Sequence, residues 1–479
     1  MAIPVVTVEA MRTWEEATWS AGVQPQSVID EVGRRIADRV LSLAPPGSWV
    51  LFLAGRGNNG NDARAAVHAL DSIPTEERAG RSWQLVSVTD PETDGLAIVD
   101  ALQRRPAWIV DGLFGIGLNR ALSDPWNRLI DRINLSHRPV LAVDIPSGLD
   151  AKTGTAPGSV VQAAITLTIG APKAGLLTPG AAAVVGRLEV ARDVGLIGVP
   201  ATDRLVWVES DDFADFPPPR VVDVNKGDFG HLRILAGSLG YHGAAVLAGW
   251  GALRARPGLI TLETLPEVYG AVASQMQQVM VRPLAAGTGS GELPEPARAT
   301  AWLFGPGLPS GTARVHCEKK FLEAWISAPA PVVVDASSLD WLPPTAMGSA
   351  TTRVVTPHPG EAARLLKCSV HDVEHNRSDA LRRISQRFGN CWVVLKGHQT
   401  LVGRSAGTMS INSSGDPGLA QGGSGDVLAG FIAGLLAQPT LQSEVEKVLR
   451  FAVWRHGRAA EELSSATRSW SIADLVRVL

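Results

Sequence analysis

An aspartate that follows a glycine run and opens an apolar helix is placed for chemistry on an anion. Gly422-Gly-Ser-Gly-Asp426 leads directly into Val427-Leu-Ala-Gly-Phe431. Glycine lets the backbone approach a ligand closely and adopt φ > 0. A helix starting near Gly425 turns its free N–H groups and the positive end of its dipole toward whatever lies ahead of it, which suits phosphate. Asp426, in the first turn, then stands where a carboxylate can take the proton of a hydroxyl attacking a phosphoryl group. The blander reading of the same string is an N-cap aspartate after a flexible loop.

Three other segments weigh against the blander reading. Phe304-Gly-Pro-Gly307, Thr356-Pro-His-Pro-Gly-Glu361 and Lys396-Gly-His-Gln-Thr400 each follow a short apolar run that reads as a buried strand. In parallel α/β sheets ligands bind beyond the carboxyl ends of the strands, so all three fall on one edge. Taken singly, His358 between two prolines is more simply structural and Lys396 is a solvated turn lysine. Their shared placement with Asp426 points to one ligand.

The N-terminal half carries a second polar set at strand ends. Gly55-Arg-Gly-Asn-Asn59-Gly-Asn-Asp62 follows Trp49–Ala54 and opens a helix, again an anion-binding arrangement. Its paired asparagines add carbonyl oxygens, which suit a hard monovalent cation, and its plain alternative is an Asn/Gly turn capped by Asp62. Val110-Asp-Gly-Leu-Phe-Gly115-Ile-Gly117 and Val143-Asp-Ile-Pro-Ser147 end two further strands. Asp144 is an acid/base candidate, or else a cap for a βα turn.

These residues need a frame. In both halves short apolar runs alternate with longer amphipathic stretches, the pattern of parallel βαβ units in an α/β fold with helices on both faces of the sheet. Expected N-terminal strands are Trp49–Ala54, Gln84–Thr89, Trp108–Asp111, Val140–Asp144 and Ala164–Ile169. Expected helices include one burying Ala10, Trp14, Ala17 and Trp19, then Ser27–Leu43, Asp62–Leu70 and Pro125–Leu135. In the second half the expected strands are Leu232–Ala236, Leu259–Leu262, Trp302–Phe304, Val332–Asp335, Val354–Thr356 and Cys391–Leu395. The expected helices there are Ala244–Arg256, Gly360–Leu366, Arg377–Phe388, Gly425–Leu436 and Leu441–Leu463. A length of 479 residues predicts two domains. Pro217-Pro-Pro219 marks a spacer within Asp211–Gly227, which gives domains of 1–210 and 221–479.

A net charge of −3 implies no nucleic-acid surface. No apolar stretch is long enough for a membrane span, and no leader is visible, so a cytoplasmic protein is expected. Cys317, Cys368 and Cys391 are odd in number and lack metal or redox spacing.

The second half resembles the ADP/ATP-dependent NAD(P)H-hydrate dehydratases, which have a ribokinase-like fold. The motifs that carry the resemblance are Asn225-Lys-Gly227 with Gly230, Ala236-Gly-Ser238 with Tyr241 and Gly243-Ala-Ala245, Gly305-Pro-Gly307, Thr356–Glu361, Lys396–Thr400 and Gly422–Asp426. Arg256-Pro-Gly258 and Gln421 depart from the usual pattern without removing a catalytic group. The resemblance implies that Ala244, Gly307, His358 and Asp426 contact a hydrated nicotinamide nucleotide. It assigns the adenine nucleotide, ADP, to Lys396, Gly397, His398, Gln399, Thr400 and Gly425. It also implies phosphorylation of the C6 hydroxyl with Asp426 as base, loss of phosphate, and Mg²⁺ to offset phosphate charge.

The first half resembles the NAD(P)H-hydrate epimerases, a Rossmann-like family often fused to the dehydratase in bacteria. That resemblance places Asn58, Asn59, Gly60, Asn61 and Asp62, then Gly115, Ile116, Gly117, Leu118, Asn119, Arg120 and Ala121, and Asp144, against the hydrate. It gives Asn59, Asp111 and Ser147 to K⁺. The implied reaction interconverts the R and S forms at C6. Asn61 and Ala63 stand where the family has glycine, and Ile116 where it has threonine. Asn61 is therefore expected to take φ > 0, and Ala63 to narrow the ligand's approach.

Together these imply a bifunctional repair enzyme for hydrated NADH and NADPH, acting on small molecules as a homo-oligomer. Two alternatives stay open. One is a kinase of the same fold acting on a vitamin-precursor alcohol. The other is a dehydratase whose first domain is an inactive binding or scaffold module.

Overall fold

A computed structural model describes residues 3–118, 120–200, 205–284, 298–308, 314–344, 352–467 and 469–479. It divides into two compact units, Ile3–Thr202 and Asp203–Leu479. The division thus falls ahead of the proline spacer. Leu205–Val208 forms a strand that pairs in parallel with Met409–Asn412, inside the C-terminal unit. Phe213 and Phe216, just before the prolines, pack their rings on Phe451 at centroid distances of 5.5 and 5.2 Å. The segment before the prolines is thereby anchored to the second unit.

The N-terminal unit has a parallel sheet of β1 (Trp49–Ala54), β2 (Ser82–Ser87), β3 (Trp108–Gly112), β4 (Val140–Val143), β5 (Ile165–Ile169) and β6 (Arg187–Ala191), in spatial order β2-β1-β3-β4-β5-β6. Because side chains alternate along a strand, Val50 and Phe52 enter one core and Leu51 and Leu53 the other. Helix α1 (Val8–Ser20) buries Val8, Met11, Trp14 and Thr18, so its inner face is rotated from the expected one: Ala17 is exposed. Helix α2 (Pro25–Leu43) packs beside α3 (Asn58–Asp71) on one face, and α4 (Asp124–Leu135) lies on the other. Helix α3 begins four residues earlier than its sequence suggests. The asparagine–glycine run is its first turn rather than a preceding loop.

The C-terminal unit is built on a mixed sheet. Its strands are β7 (Leu205–Val208), β8 (His231–Leu235), β9 (Leu259–Thr264), β10 (Met280–Pro283), β11 (Ala301–Phe304), β12 (Val332–Val334), β13 (Arg353–Val355), β14 (Trp392–Leu395), β15 (Leu401–Gly403) and β16 (Met409–Asn412). They lie in the order β7-β16-β15-β14-β13-β12-β11-β8-β9-β10, with only the β14–β15 and β15–β16 pairs antiparallel. Strands β6, β7, β10, β15 and β16, each three to five residues long, were not anticipated. Two helices pack closely, α5 (His242–Ala255) and α6 (Ser424–Leu436). A Cβ on Gly251 would meet Val427 O at 2.1 Å, and one on Gly430 would meet Ala248 O at 2.0 Å, so only glycine permits this approach. From Val427 to Leu436 α6 is buried all round, which is why that run is apolar on every face. Helices α7 (Pro359–Leu366), α8 (Arg377–Arg387) and α9 (Val445–Ala466) complete the frame around the site. Among the described residues no helix is long and apolar enough to cross a membrane.

Candidate active sites

In the C-terminal unit β8, β11, β12, β13 and β14 run parallel, so the residues after them share one edge. Helix α6 opens onto that edge from Gly423, whose φ of 99° only glycine adopts easily. Lys396 follows β14. Its Nζ donates to Asp335 Oδ1 at 2.7 Å, lies 3.9 Å from Glu361 Oε2, and stands 3.4 Å from where a Cβ on Gly425 would be. Asp335 also accepts from Thr356 Oγ1 at 2.6 Å and is 2% exposed. Burial opposes the charge on Lys396, but Asp335, Glu361 and Asp426 together outweigh it and raise its pKa. Asp426 is pushed up to about 7, by burial first and then by Asp335 and Glu361, with Lys396 opposing. A carboxyl titrating near neutrality can take a proton where an ordinary one would be too weak a base.

His358 caps α7. Its Nδ1 accepts from Gly360 N–H at 3.0 Å, while Glu361 Oε2 accepts from His358 N–H at 2.8 Å. On the other side of the edge, Ser238 Oγ donates to Gly307 O at 2.7 Å. A Cβ on Gly307 would lie 2.9 Å from the Ala244 Cβ, so Gly307 and Ala244 are neighbours. Gly305, at φ 131°, sits so close to Asp335 that a Cβ would be 1.7 Å from its carbonyl oxygen. Gly305→Ala is therefore expected to lower the thermal midpoint of this unit, with strain of roughly 1–3 kcal/mol. An unchanged melting curve would contradict this close packing.

The structure thus gathers Ala244, Gly307, His358, Lys396, Gly425 and Asp426 along one edge. Gly397, His398, Gln399 and Thr400 form the tight link from β14 to β15, closed by Thr400 Oγ1 donating to Gly397 O at 3.0 Å. Arg377 braces this link by donating to Leu395 O and Lys396 O. His456, buried and shifted down to about 4 by that burial, contacts Ser424 O at 3.1 Å at the start of α6. Sequence reasoning passed over Asp335, Glu361 and Arg377 as functional groups. Asp335 follows β12 as Lys396 follows β14, and that shared position was the available signal.

The N-terminal unit holds a cleft of about 1120 Å³. Asn58, Asn59, Asp62, Gly115, Ile116, Gly117, Leu118, Arg120, Ala121 and Asp144 line it. Asn119 is outside the described residues. Two residues expected in the cleft do not line it. Gly60 faces inward, where a Cβ would meet Gly55 O at 1.9 Å, and Asn61 is exposed with its Oδ1 taking a hydrogen bond from Arg64. Asn61 is helical and needs no positive φ. Ala63 packs its Cβ toward Gly112 and does not line the cleft. The departures from glycine therefore leave the cleft unobstructed.

Asn59 Nδ2 donates to Phe114 O and Val143 O, each at 2.7 Å, tying the first turn of α3 to the ends of β3 and β4. Asp111 Oδ1 accepts from Ser147 Oγ at 2.7 Å, and burial raises its pKa against the pull of those Ser147 bonds. Asp144 has φ 63°, a strained conformation for a non-glycine residue. Its Oδ1 accepts from Thr168 Oγ1 at 3.0 Å, Ile169 N–H at 2.9 Å and Lys173 Nζ at 2.5 Å. Lys173 is completely buried and was not anticipated. Asp62 is pushed up to about 8 by burial, then by Asp144 and Glu15, with Lys173 opposing.

A family model described as NAD(P)H-hydrate dehydratase matches residues 232–476, and one described as YjeF-related protein N-terminus matches residues 25–175. The bifunctional NAD(P)H-hydrate repair enzyme Nnr of Escherichia coli K12 is 33% identical over 91% of this chain and 85% of its own. Its counterpart in Coxiella burnetii is 32% identical over 94% of each. A crystal structure of the Bacillus subtilis ADP/ATP-dependent NAD(P)H-hydrate dehydratase, co-crystallised with ATP/Mg²⁺, is 27% identical. It covers 55% of this chain and 91% of its own, with a TM-score of 0.47. With both halves matched and the relatives aligned over nearly their full length, this chain belongs to the bifunctional NAD(P)H-hydrate repair enzymes.

Proposed function

We propose that the C-terminal unit dehydrates the S form of hydrated NADH and NADPH at the expense of ADP, releasing AMP and phosphate, while the N-terminal unit interconverts the R and S forms. The observation that carries the first half is Asp426, raised to about 7 at the start of α6 with Lys396 beside Gly425. In the dehydratase, Asp426 takes the proton of the C6 hydroxyl as that oxygen attacks the terminal phosphoryl group of ADP. The α6 N–H groups and Lys396 hold the phosphoryl oxygens. Loss of phosphate from C6 and of a proton from C5 restores the dihydronicotinamide.

Asp335 and Glu361 are the carboxylates suited to hold Mg²⁺, which takes one or two such groups together with substrate phosphates. When bound it offsets phosphate charge. For K⁺ the set is Asn59, Asp111 and Ser147, all oxygen donors. The buried Asp111 carboxylate is met by a hydroxyl and backbone N–H groups, so a cation there would supply the charge that burial denies it. We place the enzyme in the cytoplasm, a reading that its free cysteines support.

The test supplies mixed R and S hydrates with ADP, then with ATP, and follows dihydronicotinamide absorbance. Complete recovery is expected. No recovery with either nucleotide would remove the dehydratase reading, and phosphorylated product retained in its place would favour a simple kinase. Recovery that stops at the S fraction would remove the epimerase.

A further inference from the structure

We infer that Asp62 and Asp144 form an acid–base pair on the C6 hydroxyl in the N-terminal cleft, Asp62 giving the proton and Asp144 taking one, with Lys173 as the positioning residue that holds Asp144 Oδ1 in place. This rests on the epimerase reading above.

The two carboxyls reach one cleft from separate elements, Asp62 from the second turn of α3 and Asp144 from the end of β4. The Asn59 amide, bonded to Val143 O, draws those elements together. Both residues are 6% exposed. The three donors on Asp144 all converge on Oδ1, and among the described residues none is directed at Oδ2. That leaves Oδ2 as a proton acceptor. Lys173 Nζ spends itself on Asp144 Oδ1, Thr168 Oγ1 and Ile169 O, not on Asp62. Asp62 therefore faces two carboxylates, Asp144 and Glu15 of α1, with Lys173 as the nearby cation; Arg12, Arg56 and Arg120 line the same cleft. A carboxyl that burial and its neighbours keep protonated, set in one cleft with a carboxyl whose Oδ1 takes three donors, is equipped for the opposite role.

The chemistry balances without an outside reagent other than water. The C6–O bond breaks as the N1 lone pair forms N1=C6, and the departing hydroxyl takes the Asp62 proton and leaves as water. Water then adds to the other face of C6, the π electrons return to N1, and one proton of that water passes to Asp144. One proton has moved from Asp62 to Asp144, which is the starting state for the reverse direction.

The full chain is tested with pure S hydrate in ¹⁸O-labelled water. Wild type is expected to take up label at C6 as fast as it forms the R isomer, with an alkaline limb near pH 8 in kcat/KM, where Asp62 loses its proton. Asp62→Asn is expected to slow both processes about 100-fold or more and to remove that limb, while ADP-dependent dehydration of the S form is unchanged. The wild-type label uptake and pH limb do not depend on how the variant folds. Interconversion without label uptake, a variant as fast as wild type, or a slow variant that keeps the limb would each overturn the pair. A wild-type chain that does not interconvert the isomers at any pH would instead defeat the epimerase reading on which it rests.

Discussion

Asp426→Asn is expected to lower dehydration by at least about 100-fold, the usual contribution of a positioned base, and to leave ADP binding nearly intact. The amide keeps the shape of the side chain but cannot accept the proton of the attacking hydroxyl. The proposed anion site would not depend on that carboxylate, because it would be made by the α6 start and by Lys396, which Asp335 holds at 2.7 Å. Turnover and equilibrium ADP binding, measured on the same preparation, separate the two. Near-normal turnover would mean that another group is the base. The pH dependence carries a sign that checks the same assignment. Burial, Asp335 and Glu361 hold the proton on Asp426 up to about 7, against the pull of Lys396. The base is therefore ionised only at higher pH, and kcat/KM for dehydration should fall as pH drops through about 7. A plateau extending down to the ordinary carboxylate range would contradict it.

The second large effect is expected from Lys173→Met. Lys173 is fully buried, and its side chain spans Asp144, Thr168 and Ile169. Removing one partner of a buried ion pair leaves the other uncompensated, at a cost of about 3–5 kcal/mol. The N-terminal unit should melt earlier, and isomer interconversion should be lost because Asp144 Oδ1 loses the donor that fixes it in the cleft. Dehydration of the S hydrate should continue at the wild-type rate, since every group in that site belongs to the other unit. Thermal unfolding together with separate assays of the two reactions reads all three. Wild-type interconversion in this variant would show that Asp144 does not need the lysine.

Much of the dehydratase site could be read from the chain because its groups sit in motifs with distinctive local geometry. Glycine before an apolar helix and lysine after an apolar run each read plainly alone, but placed together on one strand edge they point to a shared anion site. Lys173 carried no such mark. It follows Gly170-Ala-Pro172 in an unremarkable turn, and only the pairing of β4 with β5 brings it to Asp144. Asp335 was read as the last residue of a strand, and its role emerges only where β12, β13 and β14 lie side by side. The start of α3 was misjudged for a related reason. Asparagine and glycine are weak helix formers in isolation, but here Asn59 is fixed by two carbonyl oxygens and Gly60 is pressed against Gly55, so packing overrides local preference. That same early start disposes of the concern over Asn61 and Ala63, and with it the motive for an inactive first domain.

The cap on α7 sets a direction for protons at the dehydratase edge. His358 Nδ1 gives its lone pair to the Gly360 N–H, so the ring's remaining hydrogen resides on Nε2, as this bonding pattern assigns it. In that tautomer Nε2 is a donor and no acceptor, and it stands 3.5 Å from Glu361 Oε1. In the proposed site His358 would steady an oxygen of the nucleotide, which leaves proton removal to Asp426.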